Sequence, residues 1–192
     1  MYLAQLVNTL DQIIKVAIVG PECTGKSVVA EHLAKCFNTV CVPEYSRTYC
    51  EGLNRNYTME DEMNIFYGQL ETEAHILKTV ESNIVFMDTM ILTVKIWCDY
   101  LFGFTPQPVL DTLQEVDYDL YLLMDVDLPW EEDALRDFPM LRTYFKGVWQ
   151  RELEAIQAPY VLISGLGDAR FVHAEQAVRT FLTTKKDSYR GL

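Results

Sequence analysis

The predicted fold follows from one segment, Lys15-Val-Ala-Ile-Val-Gly-Pro-Glu-Cys-Thr-Gly-Lys-Ser27. Its first half is a continuous apolar run, which is typical of a parallel strand buried on both faces. Residues 20–27 then match the pattern GxxxxGK[ST], placed between that strand and the start of a helix. Glycines allow the backbone to turn tightly, so that successive N–H groups face one anion, and the helix start adds further donors. The sequence therefore predicts a P-loop for a nucleoside triphosphate.

Each position of this loop is a candidate ATP-binding residue. We expect the Lys26 ammonium to reach the β- and γ-phosphates, and the Ser27 hydroxyl to bind Mg²⁺. The full predicted set is Gly20, Pro21, Glu22, Cys23, Thr24, Gly25, Lys26 and Ser27.

Short β-rich runs alternate along the chain with helical patterns, which predicts an α/β fold. We expect a single domain over residues 1–192, with the three-layer P-loop NTPase architecture and a five-stranded parallel sheet. The predicted strands cover 15–20, 39–43, 83–88, 118–125 and 159–164. The predicted helices cover 27–37, 58–82, 90–104, a stretch ending near 156, and 169–182. The polar segment at about 127–142 is a candidate lid, and the tail 183–192 is predicted to be loose.

Charge and cysteine content narrow the function class. Sixteen Lys and Arg against 28 Asp and Glu give a net charge of −12, which disfavours nucleic acid and anionic membranes as partners. Five cysteines, with no Cys/His pair at zinc spacing, fit a reducing cytoplasmic compartment. The histidines His32, His75 and His173 are expected on the surface or in packing. The sequence leaves a homo-oligomer open.

Two carboxylates are predicted at the ligand-binding edge, because ligands collect at the carboxyl ends of parallel strands. Asp88 ends the third predicted strand and can hold Mg²⁺ or orient an attacking hydroxyl, or it can cap the next helix. Glu44 follows the second strand and can take a proton from a sugar hydroxyl. Arg47 can neutralise phosphate or pin Glu44, and a purely structural Glu–Arg pair is the alternative. Arg136 and Arg142, in the polar segment, are candidate lid arginines for the ATP phosphates, and a solvated charged loop is the alternative.

These segments resemble the ribosylnicotinamide kinase domain of the NadR family, within the P-loop kinase superfamily. Residues 20–27 are similar to the family's GPESTGKS, with Cys23 replacing serine, and 43–47 to its PEYAR. Residues 88–97 resemble DTDxxTTxxW, and 135–137 its lid LRD. The chain departs from the family at Met90, where the family has a second acid, and at Val94, where it has a second threonine.

The resemblance implies ATP- and Mg²⁺-dependent phosphorylation of nicotinamide riboside to nicotinamide mononucleotide, a step of NAD biosynthesis. Tyr45 and Trp97 then become candidate aromatic platforms for the cationic pyridinium, with core packing as the alternative for Trp97. Lys26 and the lid arginines would stabilise charge, and either Glu44 or Asp88 would handle the hydroxyl proton. Two alternatives stay open: a P-loop kinase for another nucleoside or small alcohol, and an ATP-binding regulatory module without transfer activity.

Overall fold

The sheet is five-stranded and entirely parallel, as predicted. The computed structural model describes residues 13–53, 55–133 and 138–190. The strand order is β2-β3-β1-β4-β5, so the strand that precedes the P-loop lies at the centre. The strands are β1 (Ile14–Val19), β2 (Cys41–Val42), β3 (Ile84–Asp88), β4 (Leu120–Met124) and β5 (Tyr160–Ile163).

Helices cover both faces of this sheet. They are α1 (Lys26–Cys36), α2 (Tyr45–Cys50), α3 (Met59–Thr79), α4 (Leu92–Phe102), α5 (Gln107–Glu115), α6 (Arg142–Ala155) and α7 (Asp168–Arg190). A 3₁₀ turn, Pro139–Leu141, precedes α6.

The alternation of side chains along β1 produces the three layers. Val16 and Ile18 pack with α1 and α7 on one face, whereas Ala17 and Val19 pack with α4 and α6 on the other. All four side chains are fully buried. Because both faces of β1 are apolar and covered, its carboxyl end is held rigidly, and this is where the P-loop begins.

The predicted helix start at Thr58 is confirmed as a capping box. The backbone N–H of Asp61 bonds to the Thr58 hydroxyl, and the Asp61 carboxylate accepts from the Thr58 N–H at 2.8 Å. Arg55 and Tyr49 also donate to this carboxylate, which is fully buried. These hydrogen bonds connect residues 55–58, which precede α3, with Tyr49 of α2.

The prediction of a loose tail is wrong for the described part of that segment. The last helix continues beyond residue 182 to Arg190. Lys185 pairs there with Asp119 just before β4, and its ammonium lies over the Phe181 ring, which anchors the extra turns to the sheet. Within the described residues, no helix is both long and apolar enough to span a membrane.

Candidate nucleotide and acceptor site

The P-loop adopts a conformation that depends on its glycines. Gly20 has φ +135°, and a Cβ there would lie 3.0 Å from the Met124 carbonyl oxygen of β4. Gly25 has φ +77° and is the N-cap residue of α1. A side chain at either position would be strained, and at Gly20 it would also collide with backbone. The loop therefore follows β1 tightly and presents the unpaired N–H groups of α1 beyond Gly25.

Internal hydrogen bonds hold the loop in this shape. The buried Thr24 hydroxyl donates to the Pro21 carbonyl at 2.8 Å, and the Lys26 ammonium donates to the same oxygen at 3.0 Å. The Lys26 charge thus lies over the loop, at the position from which it can meet a phosphate.

Arg170 is a supporting residue that the sequence analysis missed. It is 3% exposed, and its Nη1 donates to the Thr24 carbonyl at 2.9 Å while its Nε donates to the Gly165 carbonyl at 2.9 Å. It also forms an ion pair with Asp127. Desolvation lowers the pKa of Arg170, partly offset by the charge of Asp125. No local motif marks this arginine, because α7 brings it to the P-loop only in the folded chain.

Asp88 lies beside the candidate phosphate-binding residues. It ends β3, pairs in register with Ile18 of β1, and is 5% exposed. The Ser27 side chain lies near enough to this carboxylate to lower its pKa. Burial, and then the Glu44 charge, raise the pKa of Asp88 to about 6, against the lowering effects of Ser27 and of the Lys26 charge. The P-loop side and the Glu44 side of the site are therefore electrostatically coupled through Asp88.

The oxygen donors at this point fit a magnesium ion. One Asp88 oxygen, Oδ1, is buried with no hydrogen-bond partner among the described residues, and the Ser27 side chain lies near the same carboxylate. Carboxylate and hydroxyl oxygens are ligands of the kind that Mg²⁺ prefers. An unpaired buried carboxylate oxygen is also costly unless a ligand satisfies it.

Thr89, which directly follows Asp88, has an unusual backbone conformation that the sequence did not predict. Its φ of 76° lies in the left-handed region, which is rare for a β-branched residue and is typical of strained functional sites. The hydroxyl oxygens of Thr89 and Thr93 are both buried and have no hydrogen-bond partner in the part of the chain that the structure describes. These two hydroxyls thus follow Asp88 within five residues of chain.

The segment after β2 presents Glu44 and Tyr45 at the start of α2. The Tyr45 N–H donates to Gln69 Oε1 at 2.8 Å, and Gln69, which is 4% exposed, also donates to the Pro43 carbonyl. Glu44 is half-buried and accepts from the Ser46 hydroxyl at 2.8 Å. Gln69 of α3 therefore fixes the backbone that carries the candidate proton acceptor.

The Tyr45 ring lies directly on α3 at Gly68. A Cβ at Gly68 would lie 2.1 to 2.6 Å from three ring atoms, so only glycine leaves space for the ring. Gly68 and Gln69 were both missed, because their role depends on the packing of α2 against α3 and not on any local pattern.

Arg47 does not pair with Glu44, which was one of the predicted possibilities. Its Nη2 lies 2.8 Å from Asp133 in the segment 127–142. The hydrogen bond and charge of Asp133 raise the pKa of Arg47. Arg47 is half-exposed, so this pair is a link across the mouth of the site rather than a rigid clamp.

Trp97 packs in an aromatic cluster of the sheet face. Its ring centroid lies 5.1 Å from that of Phe145 and 6.1 Å from those of Phe138 and Tyr100. The side chain is half-buried. This arrangement agrees with the core-packing alternative, and any role of Trp97 as a substrate platform stays a prediction.

The Arg142 side chain binds the backbone of the P-loop. Its Nη2 donates to the Cys23 carbonyl at 2.8 Å and its Nη1 to the Leu128 carbonyl at 2.9 Å, so it ties the loop to the segment 127–142. The Cys23 sulfur reaches the same segment, accepting from the Glu131 N–H at 3.1 Å. The other predicted lid arginine, Arg136, lies outside the described residues.

A family model for the AAA domain matches residues 15–170 of the chain. The chain belongs to this AAA domain family. The match spans the sheet, the P-loop and the start of α7, which are the elements that build the site.

The comparisons also confirm the resemblance to NadR. The trifunctional NAD biosynthesis/regulator protein NadR of Escherichia coli (strain K12) is 28% identical over 177 residues, covering 87% of this chain. That of Salmonella typhimurium (strain LT2) is 27% identical over the same length. The chain spans 42% of the length of each relative.

Solved structures show the same fold at lower identity. NadR in complex with NR has a TM-score of 0.73 at 22% identity, over 88% of this chain and 51% of that one. NadR with NAD and AMP-PNP has a TM-score of 0.67 at 22% identity, over 88% and 49%. Thymidylate kinase from Ehrlichia chaffeensis has a TM-score of 0.61 at 17% identity, over 88% and 99%. The fold is therefore that of a NadR-like, kinase-like P-loop domain.

Proposed function

We propose that this protein is a kinase that transfers the γ-phosphoryl group of ATP to the ribose 5′-hydroxyl of nicotinamide riboside. The observation that carries the proposal is the convergence of Lys26, Ser27, Asp88 and Glu44 at one edge of the sheet. Phosphoryl transfer to a hydroxyl needs a loop that binds the donor phosphates and a residue that orients the acceptor hydroxyl, and the P-loop and the two carboxylates can fill these roles.

The donor half stabilises charge on the phosphates. Main-chain N–H groups at the start of α1 and the Lys26 ammonium bind the polyphosphate. Ser27 and Asp88 would hold Mg²⁺, which when bound neutralises charge on the β- and γ-phosphates. Arg142 and Arg170 hold the loop through its carbonyls, so that its N–H groups stay aimed at the donor.

The acceptor half handles the hydroxyl and its proton. Asp88 lies on the phosphate side, near Ser27 and within the influence of the Lys26 charge, so Glu44 is the better candidate to take the proton of the 5′-hydroxyl. The unpaired hydroxyls of Thr89 and Thr93 supply hydrogen-bonding groups for a ribose at the same edge.

A cationic nucleoside suits this acceptor side. The chain carries a net charge of −12, and the two carboxylates at the edge favour a positive ligand. The half-buried Tyr45 ring, seated on Gly68, offers an aromatic face to a pyridinium. The complex of a NadR protein with NR supports the same substrate.

Met90 favours a second candidate, a kinase for another nucleoside. Where the family has a second acid, this chain has a methionine that is 1% exposed and packs in the core. Val94, in place of the family's second threonine, is also buried. A substrate contact made by that acid would be missing here, which would change the acceptor rather than the transfer.

The test is ADP release by the full chain with Mg²⁺, ATP and a panel of nucleosides. We expect nicotinamide riboside to give the highest kcat/KM, and preference for a deoxynucleoside would select the second candidate. ADP release that no nucleoside accelerates would point to a regulatory module.

The variant Glu44→Gln tests the proton acceptor. We expect kcat to fall about 100-fold with little change in the affinity for ATP. Glu51→Gln is the matched control, because it removes an exposed carboxylate at the end of the same helix. Equal turnover in the Glu44→Gln and Glu51→Gln variants would remove Glu44 from the mechanism.

A further inference from the structure

Three metal-ligating side chains meet where α1 packs against α7, on the sheet face opposite α4 and α6. His32 and Cys36 lie one turn apart on α1, and Glu175 reaches them from α7. His32 Nε2 lies 3.3 Å from Cys36 Sγ and 4.0 Å from Glu175 Oε2. All three ligand atoms lie within 4.8 Å of one another.

These separations are close to those of a tetrahedral zinc site. Zinc bonds of about 2.0–2.1 Å to nitrogen, 2.0–2.2 Å to oxygen and 2.3 Å to sulfur place neighbouring ligand atoms about 3.3–3.8 Å apart. The nitrogen–sulfur separation of 3.3 Å is already in this range. The carboxylate oxygen, which lies 4.0 Å from the imidazole nitrogen and within 4.8 Å of the sulfur, must move closer by up to about 1 Å. Small side-chain rotations on two packed helices would therefore complete the set.

Neighbouring side chains orient two of the three ligands. The His32 ring stacks on Phe171 of α7, with centroids 4.6 Å apart and an interplanar angle of 29°. Arg179 donates through Nε to Glu175 Oε1 at 2.8 Å, which leaves Oε2 on the His32 side. Arg179 is itself held over the Phe37 ring. Partners of this kind, which fix the orientation of metal ligands, commonly support metal affinity.

We propose that His32, Cys36 and Glu175 form a binding site for a zinc-class divalent cation, with water as the fourth ligand. Imidazole and thiolate select Zn²⁺ or Co²⁺ over Mg²⁺, so this site differs in chemistry from the oxygen donors Ser27 and Asp88. The His32 and Glu175 side chains are about one-third exposed, which gives the ion access. Binding releases the thiol proton to the buffer and joins α1, which begins at the P-loop, to α7. The proposal does not depend on the kinase function.

The test is a Co²⁺ titration of the full, reduced chain without nucleotide, followed by absorption spectroscopy. We expect a saturable thiolate-to-cobalt charge-transfer band with one equivalent per chain, together with the intense visible bands of four-coordinate cobalt. Oxygen donors alone give no charge-transfer band, so the spectrum separates this site from Ser27 and Asp88. Zn²⁺ should displace the cobalt, and it should raise the Tm of the wild-type chain.

Substitutions of the proposed metal ligands test which side chains bind the cobalt. Cys36→Ser should abolish the charge-transfer band, and Glu175→Gln, which keeps the thiol, should weaken cobalt affinity about tenfold or more. Cys50→Ser, at the end of α2, is the matched control and should retain the band. The far-ultraviolet circular dichroism of each variant checks that it is folded. A band that survives in Cys36→Ser, or one that never saturates in the wild-type chain, would overturn the proposal.

Discussion

The Asp88→Asn substitution should make the folded protein more stable at neutral pH than the wild type. Asp88 is 5% exposed, its Oδ1 has no hydrogen-bond partner within residues 13–53, 55–133 and 138–190, and the Glu44 charge acts on it. These features disfavour the ionised carboxylate in the folded chain. Asparagine keeps the shape of the side chain and the contact with Ser27 but carries no charge.

The raised pKa of Asp88 determines how large the change in the free energy of unfolding is. A displacement from 3.8 to about 6 corresponds to about 3 kcal/mol in the free energy of unfolding, at 1.36 kcal/mol per tenfold change. The folded pKa lies above the unfolded one, so this contribution is fully present below the unfolded pKa. It is then lost as the pH rises through about 6. Most of the change, about 2 kcal/mol, falls between pH 4 and pH 7.

The assay is urea unfolding of both proteins at pH 4 and pH 7, without nucleotide or Mg²⁺, followed by circular dichroism. We expect the free energy of unfolding of Asp88→Asn, relative to wild type, to increase by about 2 kcal/mol from pH 4 to pH 7. Asp111→Asn, which removes an exposed carboxylate of α5, is the matched control. A relative stability of Asp88→Asn that is constant or decreases over this range would refute the reasoning.

Three further substitutions test the loop and the acceptor edge. Lys26→Met should lower kcat about 100-fold or more while leaving the unfolding transition intact, because it removes charge stabilisation and not core packing. Gly68→Ala should displace the Tyr45 ring, raising the KM for the nucleoside and costing about 1–3 kcal/mol of stability. The control Gly147→Ala, where a Cβ meets only a side chain at 3.5 Å, should be neutral or stabilising by about 0.5–1 kcal/mol. Arg170→Gln should weaken ATP binding in calorimetry and cost about 3 kcal/mol, because it breaks a buried pair and releases the Thr24 carbonyl. Unchanged ATP affinity in that variant would show that Arg170 does not support the loop.

The sequence predicted those features of the fold that depend on local patterns. The buried strand before Gly20, the P-loop and the capping box at Thr58 are each encoded by neighbouring residues, and each is present in the structure. The five strands followed from apolar runs, and their positions agree to within a few residues with those observed.

Other elements depend on contacts that no local window contains. The short helix α2 is placed by Gln69, which binds its first N–H from α3. The end of α7 is anchored by the pair between Lys185 and Asp119, and was predicted as loose for lack of any local signal.

The residues of the site also fall into two groups, those that a local pattern predicts and those that depend on contacts distant in sequence. Asp88 could be predicted, because an acid at the end of a buried strand lies at the ligand edge of a parallel sheet. Arg170 and Gly68 could not, since each acts on a residue distant in sequence. The His32, Cys36 and Glu175 cluster is similar: the sequence was interpreted as having no Cys/His pair at zinc spacing, because the third side chain comes from α7 and meets the other two only in the folded chain.

The most direct measurement is a phosphorus NMR time course of the full chain with ATP, Mg²⁺ and nicotinamide riboside. We expect a new phosphomonoester signal that grows in step with ADP, at one equivalent per ADP formed, and that is absent with Lys26→Met. Release of inorganic phosphate at a rate that does not depend on nicotinamide riboside, or no consumption of ATP by the folded protein, would contradict this expectation.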